Sequence, residues 1–378
     1  MAIESAAGIA VHHYRGGPFQ KRGTGYPPLQ LFADGVRQGR SARTLCERLA
    51  SGGYRPDLII GHPGWGDMAF LRDVWSDVPV VAYLEYYYSS GAPDAMYDPE
   101  FASGTPDREF VRLRNLHQVM AHEIADICIS ATEWQRSLFP RSIRDDIRVM
   151  HEGVDTERVK PNPEATLALP NGRVITRKDK VLTYCARNLE PYRGFHRFMR
   201  ALPELQRADP DFYCVIVGGD EVSYGKRPTT ARTWREALLS EVGSDLDSSR
   251  ICWIPKLDYD NYLALLAVST VHVYLTYPFV LSWSLLEAMS AGCAIVAADT
   301  GPVREVIVEG KSGVLVDFFD PQSLVDAVSG LMISRATREH LGRQARQVMI
   351  DRYDFSRRTL PAYGRLVAEL AGSKASRQ

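Results

Sequence analysis

Apolar residues in this chain come mostly in short unbroken runs, separated by segments long enough for a helix. A strand covered by helices on both faces has no polar side to present, so such runs predict parallel sheets rather than half-exposed antiparallel ones. In the first half the runs fall at 58–60, 78–84 and 124–130, with a further short strand starting at 148–154. The second half repeats the pattern more clearly at 181–187, 212–219, 251–255, 271–277, 294–298 and 313–317, each followed by helix-length sequence. This βα alternation predicts an α/β protein. The stretch 158–172, RVKPNPEATLALPNG, is rich in proline and asparagine and reads as an aperiodic connector. We therefore expect two Rossmann-like domains, 1–162 and 173–357. Near the end, Leu360, Tyr363, Leu366, Val367 and Leu370 recur at helical spacing and predict an amphipathic helix over about 359–371.

Length supports the same division, since 378 residues is about twice a typical domain. Lys and Arg number 45 against 46 Asp and Glu, leaving a net charge of −1. A chain so balanced has no global basic field for nucleic acid, and any anion site must be local. The six cysteines form no C-x-x-C pair, and Cys185, Cys214 and Cys293 lie in or beside apolar runs, which predicts reduced core residues of a cytoplasmic protein. No run approaches the roughly 18–20 apolar residues that span a bilayer, and the N-terminal stretch lacks a signal peptide's basic and apolar regions. Peripheral contact with a membrane and a homodimer both remain open.

The most informative segment is 274–309, which reads as strand, loop, helix, strand and acidic turn. The free amides and partial positive charge of a helix's first turn attract anions, and here that turn begins at Ser282, Trp283 and Ser284. Glu287 follows within the helix, placed to accept hydrogen bonds from ribose hydroxyls. Upstream, Arg187 and Arg193 flank the end of the run 181–187, and guanidinium groups at a strand's carboxyl edge suit a diphosphate. Gly218 and Gly219 end the next run, where bare amides either cradle phosphate or sugar or simply make a turn.

The segment resembles the donor-binding motif of retaining glycosyltransferases of family 4, whose GT-B architecture has two Rossmann-like domains facing across a cleft. Glu287, Ala288, Met289, Gly292 and the run 294–298 match, as do Asp299, Gly301 and Glu305. Phe279 stands where the family has its first glutamate, so it is read either as core or as packing beside the donor sugar. The resemblance implies a nucleotide diphosphate sugar donor, with Arg187 and Arg193 neutralising the leaving diphosphate and Pro255, Lys256 and Leu257 near the base. It implies that HEGVD, 151–155, closes the first domain and that the last helix, within 358–378, returns to that domain. It is legible from about residue 55. The family's opening strand, glycine turn and helix read as absent, so the N-terminal domain is expected to be shortened at its start, with either Gly16, Gly17, Gly23 and Gly25 or a partner subunit as the substitute for the turn.

On the acceptor side, GHPGWGD (61–67) places His62 and Trp65 on a glycine-rich turn, and VVAYLEYYY (80–88) ends in Glu85 followed by Tyr86. The resemblance puts an acceptor-facing group at Glu85. A carboxylate among aromatics is open to an upward pKa shift, and tyrosine faces suit a sugar or apolar carrier. His117, His122, His151 and His196 are read as structural or surface residues, and no spacing makes a metal set. The expected reaction is hexose transfer from a nucleotide sugar to a sugar, glycan or lipid-linked hydroxyl. Retention of configuration, no metal and no cofactor are expected. A nucleotide-sugar epimerase and a binding protein without transferase activity are the alternatives.

Overall fold

A computed structural model describes residues 3–6, 9–14, 27–89, 91, 93–94, 96–102 and 108–375. The chain divides into two compact units, one of Met1–Met96, Ala102–His151 and Pro361–Gln378, the other of Tyr97–Phe101 and Glu152–Leu360. The glycines between residues 15 and 26 lie outside the described residues.

The first unit opens with β1 (Ile3–Ala6) and β2 (Ile9–His12), an antiparallel pair, followed by a helix at Pro27–Ser51. Its parallel sheet contains β3 (Ile59–Gly61), β4 (Val80–Tyr83), β5 (Ile127–Ser130) and β6 (Ile147–Val149), in that order. These strands fall on the predicted runs, because Val80, Val81, Ala82 and Ile129 are fully buried and leave no polar face. Met68, Phe139 and Ile143 cover one side. The helix Leu360–Ala375 covers the other, setting Leu366 and Leu370 against Val81, Ile127 and Ile129. Burying each such aliphatic side chain stabilises the unit by roughly 1.5–3 kcal/mol.

In the second unit the connector at 158–172 is more ordered than its composition suggests. Part of it forms β7 (Thr166–Ala168), paired antiparallel with β8 (Val174–Thr176). Leu167 and Ile175 are buried, and Gly172 takes φ 85° at the turn. Three-residue strands are too short for their period to show in sequence. The main sheet contains β9 (Val181–Asn188), β10 (Tyr213–Gly219), β11 (Ile251–Ile254), β12 (Val271–Tyr274), β13 (Ile295–Ala298) and β14 (Val314–Val316). Its spatial order is β11-β10-β9-β12-β13-β14, with every pair parallel. From β9 the chain winds to one edge and then returns to build the other. The gap between β9 and β12 is therefore the topological switch point, where open α/β sheets hold their ligands beyond the carboxyl ends of the strands.

Five cysteines are buried and Cys46 is partly so, all as free thiols. Among the described residues no helix is long and apolar enough to cross a membrane.

Candidate active site

Strand β9 buries Val181, Leu182 and Tyr184 and then delivers Arg187 to the exposed end of the sheet. No described residue pairs with the Arg187 guanidinium. The chain then turns through Glu190–Gly194 into the helix Phe195–Ala208. Gly194 makes that turn possible, with φ 68° and a virtual Cβ only 2.3 Å from Leu275 Cβ. The turn leaves Arg193 partly buried, with Nη1 donating to Thr276 Oγ1 at 3.1 Å and Cζ 5.0 Å from the Tyr224 ring centre. Burial opposes its charge, but the surrounding Tyr274, Tyr224 and Tyr184 outweigh that effect and raise its pKa, so the guanidinium stays charged. No described carboxylate forms an ion pair with it.

Beside Arg193, β12 ends at Tyr274, whose hydroxyl accepts the Ser282 amide at 3.2 Å. Ser282 caps the helix Trp283–Ser290, its Oγ accepting from Ser284 N–H at 3.3 Å. Trp283 is exposed at this helix start. Glu287 is half-buried one turn in, and its Oε1 accepts the Tyr259 hydroxyl at 2.7 Å. Burial raises the Glu287 pKa, and hydrogen bonds from Tyr259 and Tyr262 offset this in part. Arg193 thus lies beside the end of β12, whose Tyr274 meets the helix start at Ser282, while Arg187 ends β9 and Glu287 sits within the helix.

Three members of the expected donor set, Phe279, Gly218 and Gly219, make close packing contacts. Phe279 is 8% exposed, with its ring against Tyr192 (5.3 Å) and Tyr224 (5.0 Å), so it takes the core option left open by the sequence. A Cβ on Gly218 would fall 2.7 Å from Leu189 Cδ2, and one on Gly219 2.6 Å from Asn188 Oδ1. Close approach to the turn after β9 thus accounts for both glycines. Lys256 is exposed at the end of β11.

In the first unit, β3 and β4 place His62 and Glu85 side by side, with Nε2 3.3 Å from Oε2. His62 Nδ1 accepts from the Gly64 amide at 3.2 Å, so in the neutral ring Nε2 carries the proton and donates it to Glu85. Gln135 Nε2 holds the Glu85 carbonyl at 2.9 Å. Trp65, 73% exposed, stands on the same turn. Tyr86 corrects the expectation of an open ring, because it is 3% exposed and packs edge-on to Tyr88 at 5.0 Å.

Several residues of the site were not singled out by spacing. Glu190 and Asn188 lie between the two arginines, and Thr276, Tyr224 and Tyr259 support Arg193 and Glu287. The acid three residues before Arg193 was the one signal available. Elsewhere, Asp98, Glu100 and His196 bring potential ligand atoms within 4.8 Å of one another, the one such group among the described residues. Arg197 and Arg200 already engage both carboxylates, Arg200 reaching the two Glu100 oxygens at 2.6 Å each. The cluster therefore reads as an ion-pair network.

Two parallel-sheet α/β units carrying this site define the GT-B class of glycosyltransferase. Residues 3–159 match the glycosyl transferase family 4 group, well before residue 55 where its motifs become legible, and 172–348 match the glycosyl transferases group 1. The chain belongs to this family of glycosyltransferases and transfers a sugar from a donor to an acceptor. A D-inositol 3-phosphate glycosyltransferase from a Nocardioides species is 25% identical, over 97% of this chain and 79% of that protein. A GDP-mannose-dependent alpha-(1-6)-phosphatidylinositol monomannoside mannosyltransferase of Mycolicibacterium smegmatis is 26% identical, over 67% of this chain and 64% of the relative. Among solved structures, sucrose-phosphate synthase from Thermosynechococcus elongatus superposes with a TM-score of 0.73 at 16% identity, covering 98% of this chain and 86% of that one. Anabaena HepE, solved with UDP and glucose, gives 0.64 at 16% identity, covering 98% and 86%.

Proposed function

We propose that the donor is a nucleoside diphosphate sugar and that its hexose passes to a hydroxyl with retention of anomeric configuration. The observation carrying this reading is a pair of guanidinium groups that no described carboxylate neutralises, Arg187 at the end of β9 and Arg193 in the turn that follows, where it meets Thr276 beyond β12. As the sugar leaves, charge gathers on the diphosphate, and fixed cations and amides in a partly dry setting stabilise it, at about 3–4 kcal/mol per donor group. Glu287 accepts the ribose hydroxyls. The acceptor oxygen bonds to the anomeric carbon as the bond to the diphosphate breaks, and its proton passes to the leaving phosphate. We assign acceptor handling to His62, Glu85 and the open ring of Trp65, with a sugar, glycan or lipid-linked hydroxyl as acceptor. The cations named here take the place of a metal ion, and no cofactor beyond the donor enters.

Assaying radiolabelled UDP- and GDP-sugars against acceptor panels, with and without EDTA, tests this. Retained configuration in the product, seen by NMR, and activity surviving EDTA are expected. Inverted product, or label released only into water, overturns it.

The division of labour has its own prediction. Glu287→Ala should abolish the thermal shift produced by the bound nucleotide, whereas Glu85→Ala should keep that shift and reduce transfer. Because the Glu287 carboxyl titrates above its usual range, wild-type affinity should fall on acidification sooner than for an ordinary carboxylate, as protonation removes the acceptor oxygens. Glu287→Gln should flatten that pH dependence, as read by calorimetry.

A further inference from the structure

The loop after β10, at 220–233, carries Tyr224 and is held from an unexpected place. Glu190 is fully buried, and its carboxylate accepts three successive backbone amides, Ser223 on Oε1 at 3.1 Å and Tyr224 and Gly225 on Oε2 at 3.2 and 2.9 Å. Asn188 Nδ2 adds a bond to Ser223 Oγ at 2.7 Å. Both anchors lie between Arg187 and Arg193. A carboxylate removed from water costs several kcal/mol unless its lone pairs are filled, so three charge-assisted bonds fix this loop firmly. The nearest cation in its own turn, Arg193, is left without an acidic partner. The loop meanwhile carries Tyr224, whose ring faces that guanidinium at 5.0 Å and also rests on Tyr192 at 5.4 Å.

We propose that Glu190 is a positioning residue for diphosphate binding: by clasping residues 223–225 it holds Tyr224 against Arg193, fixing the guanidinium's direction while spending its own charge on loop amides instead of on the arginine. The inference rests on Arg187 and Arg193 being the cations that meet the donor diphosphate. A Gln at 190 keeps the volume but turns an N–H₂ toward amide donors, so the clasp opens. Tyr224→Ala removes the ring from Arg193, Tyr192 and Phe279 together, so a thermal melt of this variant accompanies the titration.

Calorimetric titration of the full chain with uridine and guanosine diphosphate, on Glu190→Gln, Tyr224→Ala and the double variant, tests this. Each single change should weaken binding of the accepted diphosphate about tenfold. The double should be no weaker than the poorer single, since both act through one element. Donor KM should rise more than kcat falls, and trypsin should cut Glu190→Gln faster after Lys226 and Arg232. Unchanged affinity in Glu190→Gln, or losses that multiply in the double, overturns the proposal. Arg187→Ala separates the two levels: weakened binding there with unaltered Glu190→Gln sinks only the clasp, whereas no loss in Arg187→Ala sinks the diphosphate reading itself. If Glu190→Gln does not fold, Asn188→Ala, which removes the second anchor alone, completes the cycle.

Discussion

Arg187→Ala should lower kcat/KM for sugar transfer by roughly 10²–10³-fold while leaving thermal stability nearly unchanged. The size follows from removing one preorganised group that meets developing charge, a loss of about 3–4 kcal/mol in the transition state. The lack of a stability effect follows from the fold. Arg187 is exposed at the end of β9, and no described side chain pairs with it, so its truncation breaks nothing in the folded state. Steady-state kinetics beside a thermal melt reads both quantities. A melt lowered by several degrees would mean that the guanidinium is structural. Unchanged kinetics would remove the diphosphate from this edge of the sheet. Arg193→Ala is the less clean companion, because it also strips Thr276 and Tyr224 of a partner.

Asp98→Ala is expected to have the largest effect on stability, destabilising the second unit by about 3–5 kcal/mol, the usual result of removing one partner from a buried ion pair. Asp98 and His196 are both buried, with His196 Nε2 2.8 Å from Asp98 Oδ2 and Arg197 Nη2 at 3.2 Å from Oδ1. Without the carboxylate, His196 and Arg197 face an apolar wall formed by Phe101 and Phe318. For a unit of this size the melting temperature should drop by roughly 6–20 °C. The wild type should show the linked pH dependence. Burial alone would raise the Asp98 pKa, but the bonds from His196 and Arg197 outweigh it and bring it down to about 2 from 3.8. A carboxyl depressed on folding gives stability that is present above its unfolded pKa, near 4, and lost as pH falls toward 2, amounting to about 2 kcal/mol. Acid titration of unfolding free energy, wild type against Asp98→Asn, checks this. Equal slopes below pH 4 would show that the carboxylate is not held by its partners.

The resulting picture assigns distinct chemistry to each unit. The second gathers cations, a helix start and the half-buried Glu287, whereas the first offers a hydrogen-bonded histidine and carboxylate beside an open indole. Sugar transfer by a member of this family is what both halves serve.

Sequence alone determined the strands and the helix start at Ser282. A strand buried on both faces must be apolar throughout, and a helix start is marked by its capping serine, so both leave local marks. The parallel sheets and the positions of Arg187, Arg193, Ser282 and Glu287 were legible for that reason. Tertiary structure decided what depends on distant partners. It turned Tyr86 inward and left Trp65 open, although both are aromatic residues in turn or strand-end sequence. It joined Asp98 to His196 across 98 positions and spent Glu190 on amides more than 30 residues away. No periodicity records such pairings, because they are fixed only when packing brings the turn after β9 against the loop after β10 and the segment Tyr97–Phe101 onto the second unit.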